Sequence, residues 1–207
     1  MRWRLAVPMI VLVLLCACGE GEASAELPVR FRTALTEAGQ CNFDLALQAD
    51  YGTYTRAFTL TCSGTVDGPA SLRVLEPEIV EGITAVVSGE EASVSYEDTI
   101  LAVENFTSRR ISPMAAPYLL TQAWSRGYLA ACGQDGQLEE VRYLLGYGQR
   151  QLEVTTWFAG QEPRRGEISD GTHVLISCEI SNFTLQKKAE QYENAKNAEA
   201  YLGGGEP

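Results

Sequence analysis

Six cysteines are the side chains of this 207-residue chain best suited to covalent chemistry. Cys16 and Cys18 sit in "LLCACGE", where an apolar run stops and an acidic, small-residue segment begins; Cys41, Cys62, Cys132 and Cys178 are spread over the remainder. No C-x-x-C pair sets thiols at metal-ligand spacing, and His173 is the sole histidine, so no metal site is expected. His173 is also the one base around which a triad could form. No G-x-S-x-G, S-x-x-K or H-E-x-x-H pattern marks a nucleophile or a metal near it. It reads as a surface histidine at the turn after Asp170-Gly171. The carboxylate pairs Glu90-Glu91, Glu97-Asp98 and Glu139-Glu140 fall at turns or strand starts, where they form a solvated rim that discourages strand edges from associating. No catalytic residue and no cofactor is assigned; the chain is expected not to be an enzyme.

The start of the chain, Met1-Arg2-Trp3-Arg4 followed by apolar residues 5–15 and then small residues, has the order of an export signal. A helix over residues 5–17 would cover about 20 Å, short of the roughly 30 Å hydrocarbon core of a membrane. The cleavage region resembles the lipobox of bacterial lipoproteins, with Leu15, a small Ala17 and then Cys18. Cys16 would put bulky Leu15 directly before the cut and would leave with the signal. An ordinary secretory signal with two chance cysteines is the alternative. The resemblance implies that Cys18 receives a diacylglyceryl group, and two acyl chains suffice for stable anchoring. The mature chain would then sit on the outer face of the cell membrane without crossing it.

Arg2 and Arg4 leave with such a signal while all 27 acids remain, so the mature chain is more acidic than the −11 of the whole. A nucleic-acid partner is excluded for want of a basic face. A polybasic grip on anionic lipid is excluded too, leaving the acyl chains as the attachment.

Residues 1–17 are thus the signal, 18–26 a lipidated cysteine and flexible acidic tether, 27–186 one domain, and 187–207 a polar, helix-prone tail. Within the domain, Phe31, Leu35 and Ala38 recur at helical spacing between Pro28 and Gly39. The period then changes to two. Phe43, Leu45 and Leu47, then Phe58, Leu60 and Cys62, predict a hairpin across Tyr51-Gly52. Short strands are predicted at 71–75, 83–88, 93–96 and 100–103, a helix over 115–132 stopped by Gly133, and strands at 140–146, 151–159, 163–169 and 173–185. The fold class is α+β: a curved antiparallel sheet, an incomplete β-barrel, with helices covering its concave face.

Two further readings depend on that order. A two-residue turn at Tyr51-Gly52 would place Cys41 opposite Cys62 at disulfide distance. Cys132, at the end of the long helix, and Cys178, on a late strand, would by elimination form a second bridge; four cysteines allow three pairings, and buried thiols are the alternative. Phe106, Tyr118, Leu120, Trp124, Tyr128, Tyr143 and Trp157 are candidates to line a pocket between helix and sheet, or to fill it as ordinary core. Asn105 and Asn182 open N-glycosylation patterns that a bacterial lipoprotein leaves bare.

The hairpin from Cys41 to Cys62, "GITAVVSGEEASVSYEDTILAV" at 82–103, the helix over 117–131 and the return strands ending in "ISNFTLQ" at 180–186 resemble the LolA/LolB-like lipoproteins, which include mycobacterial lipid carriers. The resemblance covers about residues 27–186 and rests on element order. It implies a half-barrel whose concave side can open into an apolar pocket for acyl chains; no ligand residue carries over, because shape and not a motif defines such pockets. The expected function is a membrane-anchored, extracytoplasmic, non-enzymatic protein binding a lipid or acylated ligand. The alternative is a filled-core module that positions an envelope or cell-wall enzyme through an edge strand or its acidic rim. Cys18→Ala is expected to move the protein from the membrane to the soluble extracytoplasmic fraction, read by fractionation and immunoblot.

Overall fold

The computed structural model describes residues 21–104, 111–171 and 173–187. The signal, Cys16, Cys18, Asn105, Phe106 and the tail from residue 188 lie outside the described residues. Helix α1 (Gly21–Ala38) is followed by β1 (Gly39–Asp50), β2 (Thr55–Thr65), β3 (Ala70–Glu76), β4 (Thr84–Ser88), β5 (Glu91–Tyr96) and β6 (Thr99–Val103). After helix α2 (Ala116–Arg126) come β7 (Tyr128–Asp135), β8 (Leu138–Leu145), β9 (Leu152–Ala159), β10 (Glu162–Ser169) and β11 (Val174–Lys187). The described strands form one antiparallel 11-stranded sheet in the order β6-β5-β4-β3-β2-β1-β11-β10-β9-β8-β7, open at β6 and β7. The expected class therefore holds: a large antiparallel sheet, unclosed, with two helices.

The alternation in β1 shows why the sheet has one wet and one dry face. Cys41, Phe43, Leu45, Leu47 and Ala49 are buried, and their neighbours Asn42, Asp44, Ala46 and Gln48 point the other way. Helix α2 lies against β2 and β3 and also against β8 and β9. β3 and β9 are five strands apart, about 24 Å in a flat sheet, whereas a helix is about 10–12 Å across. One helix can touch both only if the sheet curls around it. Residues 116–124 of α2 are accordingly all buried. An ion pair from Glu90, in the β4–β5 turn, to Arg150, between β8 and β9, spans 3.4 Å across the mouth of this curl.

Two glycines make the seat for α2. A Cβ on Gly64 of β2 would lie 2.1 Å from Thr121 Oγ1, and one on Gly166 of β10 would lie 3.0 Å from Leu120 Cδ2 and 3.1 Å from Cys178 Sγ. Any larger residue would push the helix off the sheet. Around this seat Trp124 packs edge-on against Phe31, Phe43 and Phe183, with ring centroids 5.8, 5.4 and 5.9 Å away. The Trp124 indole N–H donates to Thr156 Oγ1 at 3.0 Å, so its polar atom is satisfied inside the core.

Helix α1 locks α2 in place. Leu27, Phe31, Leu35 and Ala38 are buried at the predicted spacing, but the helix begins at Gly21, so residues 21–26, expected to be tether, are helical. From its fourth turn Arg32 reaches the C-terminus of α2. Its Nε donates to Trp124 O at 2.9 Å and its Nη2 to Gly127 O at 2.6 Å and Ala123 O at 3.4 Å. One cation thus caps the carbonyls at the helix end, of which Ala123 O also accepts from Gly127 N at 3.0 Å, where the macrodipole favours positive charge.

Three expectations need correction. The long helix ends at Arg126, because Gly127 takes an extended backbone and a Cβ there would lie 2.6 Å from Ala123 O. "YLAAC" belongs to β7, so Tyr128 and Cys132 are strand residues. The β1–β2 hairpin closes through residues 51–54: Gly52 N donates to Asp50 Oδ1 at 2.6 Å, and Tyr51 N to Tyr54 O at 3.0 Å. The shift by two keeps every side chain on its predicted face but sets Cys41 opposite Gly64 and Phe43 opposite Cys62. Cys41 and Cys62 are therefore diagonal, about 7–8 Å apart by strand geometry, beyond ordinary disulfide reach. Cys132 and Cys178 are separated by β8, β9 and β10, roughly 19 Å along the sheet. Cys41, Cys62 and Cys178 are buried thiols.

Burial pushes the Cys41 and Cys178 thiols up from 9.0 to about 12 and Cys62 well above 9.0, because a thiolate there would be stripped of water. The folded state holds these protons more tightly than the unfolded one. Their contribution to stability is fully present below 9.0 and is lost as the pH rises toward about 12. Denaturant midpoints measured across that range are expected to fall, and intact mass is expected not to change on reduction. Gly64→Ala is expected to cost about 1–3 kcal/mol by overpacking, with Thr121→Ala in the same background recovering part of it. Arg32→Met is expected to cost about 2 kcal/mol, as three carbonyls lose a charged donor. Thermal unfolding monitored by circular dichroism checks both.

Candidate functional site

The interior between sheet and helix is packed with side chains, several of them pocket candidates. Leu120, Trp124 and Tyr143 are fully buried, Leu120 against the Gly166 seat and Trp124 in the aromatic cluster. The Tyr143 hydroxyl makes no hydrogen bond with a described residue, and burial raises its pKa although Arg32 lies 5.9 Å from its ring. Trp157 is not on this face. Its neighbours Thr156 and Phe158 point inward, and Trp157 lies on the convex side with the Arg165 guanidinium 3.8 Å from its ring; Arg165 also pairs with Asp135 at 3.0 Å. Phe106 is outside the described residues.

Tyr118 and Tyr128, by contrast, meet in an open cleft of about 630 Å³ at the edge of the fold. Tyr118, Leu119, Gln122 and Arg126 supply one wall. They share a stripe on α2, because positions three, four and seven or eight apart lie on one helix face. Tyr128 at the start of β7, Leu144 and Leu145 at the end of β8, and Gly146, Tyr147 and Gln151 in the following turn supply the other. Gly146 has a φ of 74, and its Cβ would lie 3.0 Å from Arg150 O, so glycine permits the tight turn that presents Tyr147, which is 94% exposed. The floor is apolar. Its polar atoms are few: Arg126 Nη2 donates to the Tyr118 hydroxyl at 3.4 Å, and Gln122 Oε1, on a residue only 3% exposed, accepts from nothing among the described residues. A volume of this size, apolar with a few convergent polar groups, is the usual form of a small-molecule site.

A second, smaller groove of about 420 Å³ runs along α1, lined by residues that include Val29, Arg32, Thr33, Thr36 and Leu129. His173 Nε2 lies 3.5 Å from Asp50 Oδ2, both at the surface near the β1–β2 turn, far from the α2 cleft in the strand order. Among the described residues, no group of three His, Cys, Asp or Glu side chains could hold a metal ion, and no helix is long and apolar enough to cross a membrane.

The sequence reading missed Leu119, Gln122, Arg126 and the 144–151 segment. A signal existed for the helical part: Arg126-Gly127 is a basic residue in a last turn followed by glycine, a common helix stop. Placing the stop there leaves Tyr118, Leu119, Gln122 and Arg126 as a separate stripe. The segment at 144–151 gave no signal, since only the curl of the sheet brings it to α2.

No family model matches the chain, and no curated protein does. Among solved structures it is similar to a LolA superfamily protein from Nitrosomonas europaea, at 10% identity and a TM-score of 0.45 over 77% of this chain and 95% of that one. It is also similar to a DUF1329 family protein from Desulfovibrio piger, at 10% identity and a TM-score of 0.46 over 79% and 92%. A third is a putative outer membrane lipoprotein-sorting protein domain from Vibrio parahaemolyticus, at 12% identity and a TM-score of 0.44 over 86% and 98%. All three matches are at low identity and are likenesses of fold alone.

Proposed function

We propose that this chain is an exported, non-enzymatic protein, held on the outer face of the membrane by a lipid on Cys18, that binds a lipid or acylated ligand in the α2 cleft. The observation that carries the reading is the cleft itself: an apolar floor of Leu119, Leu144 and Leu145 with a cation at Arg126 on its helical wall. An acyl chain on that floor would exchange water for apolar wall at about 25 cal/mol per Å². Arg126 suits an anionic head group. The interior needs no opening for this, since the cleft lies outside the packed aromatic cluster. An anchor at Cys18 would hold the cleft beside a membrane, raising the local concentration of such ligands.

Native mass spectrometry of the protein purified without added lipid is expected to show a bound amphiphile. Titration with palmitate and with its methyl ester is expected to favour the acid, and Arg126→Gln to weaken palmitate about tenfold while leaving the ester unchanged. Leu145→Arg is expected to abolish both. A ligand-free protein that binds neither probe overturns the proposal.

A further inference from the structure

The two edges of the sheet are treated differently. β7 is bulged between Leu129 and Ala131, lies against α1, and commits Asp135 to Arg165. Among the described residues, β6 has none of these protections. Its pairing with β5 runs without a bulge from Tyr96↔Thr99 to Ala92↔Val103, and the strand, Thr-Ile-Leu-Ala-Val, holds no charge and no proline. All five residues are exposed, with Ile100 at 72% and Leu101 at 59%. A flat, apolar, unprotected edge presents a row of unpaired backbone N–H and C=O groups and is a template for another strand.

The side chains extend the same surface. Leu101 and Val103 pair with Val94 and Ala92, so they point to the core side of the sheet, where Ala92 is buried. Helix α2 covers the middle of that side, against β2, β3, β8 and β9. Tyr96, Leu101 and Val103 are left as an apolar shelf at its end.

The charges around the edge select the occupant. Glu90, Glu91, Glu97, Asp98 and Glu104 are all exposed at the two ends of the β5–β6 hairpin. Glu90 pairs with Arg150; the other four make no salt bridge with a described residue. A second copy is a poor fit, because antiparallel pairing of two β6 strands centred on Leu101 sets Asp98 of each against Glu104 of the other. Like charges opposed across strands are destabilising.

We propose that β6 is the docking edge for an extended segment of a partner protein, apolar at its centre and flanked by lysine or arginine, which adds as a twelfth strand next to the 11 present. The backbone ladder supplies affinity, the shelf of Tyr96, Leu101 and Val103 takes alternate apolar side chains, and the acidic ends select basic flanks. The proposal gives a chemistry to the interaction reading of the sequence and does not depend on a ligand in the α2 cleft.

The test uses the full-length protein in mild detergent and two synthetic peptides, a Val/Ile/Thr strand flanked by paired arginines and the same strand flanked by paired glutamates. Calorimetry is expected to show the basic peptide binding at least about tenfold tighter than the acidic one, with the difference shrinking as salt is raised. Hydrogen exchange is expected to show new protection at residues 99–103 only with the basic peptide. Ala102→Pro, which removes an edge N–H, is expected to abolish binding, and Leu101→Lys to weaken it, both with an unchanged circular dichroism spectrum. Equal affinity for the two peptides, binding insensitive to both variants, or no binding overturns the proposal. So does protection of the edge-facing Ile100 and Ala102 amides in the free protein, which would place the chain's own segment there, and so does a dimer that Ala102→Pro dissociates. Loss of palmitate binding with peptide binding intact would sink the cleft reading alone.

Discussion

The close approach of α2 to the sheet at Gly64 and Gly166 is the constraint on which the rest of the structure depends. Thr121 occupies the space where a Gly64 side chain would be, and Leu120 does the same at Gly166. With the helix that low, the sheet can reach it from both sides, β2 and β3 from one and β8 and β9 from the other. The curl follows from burial. Residues 116–124 are predominantly apolar around the whole circumference of the helix, and only a wall bent around them takes that surface out of water.

The same seat decides what kind of site the fold can offer. An antiparallel half-barrel with a high helix would leave a void along its axis. Here the void is occupied by Trp124, Phe31, Phe43, Phe158 and Phe183, and the Trp124 indole and Thr156 hydroxyl satisfy one another within it. The space that remains lies where α2 meets the end of β8, and its chemistry belongs to the helix stripe at Tyr118, Leu119, Gln122 and Arg126. The Arg32 contacts to the last carbonyls of α2 hold that stripe in place from behind, so the same cation that ties the two helices together also sets the geometry of one cleft wall.

The two surfaces proposed for binding differ in physical character. The α2 cleft is concave, mostly apolar and carries a cation; the β6 edge is flat, offers backbone hydrogen bonds and is ringed by acid. They would select different partners by charge as well as by shape. Both sit away from the aromatic cluster, so changes at either can leave the core intact.

By itself the sequence determined the alternation and buried face of β1 and β2, the helical stripe at Phe31, Leu35 and Ala38, and the α+β class, because each is written in apolar periods of 2 or about 3.6 residues. It also made the acidic rim legible at Glu90, Glu91, Glu97 and Asp98. Tertiary structure alone decided the rest. The end of α2 is signalled by Arg126-Gly127 but outweighed by Leu120, Trp124 and Tyr128, whose helical period continues past the true stop; packing of "YLAAC" beside β8 overrides that period. The register of β1 on β2 depended on an Asp50 side chain and a stacked Tyr51–Tyr54 pair turning a two-residue loop into four, which moved Cys41 from Cys62 to Gly64. The cleft joins positions 118–128 to 144–151, and no local pattern records how far a sheet bends; that is set by the volume of the helix it must enclose.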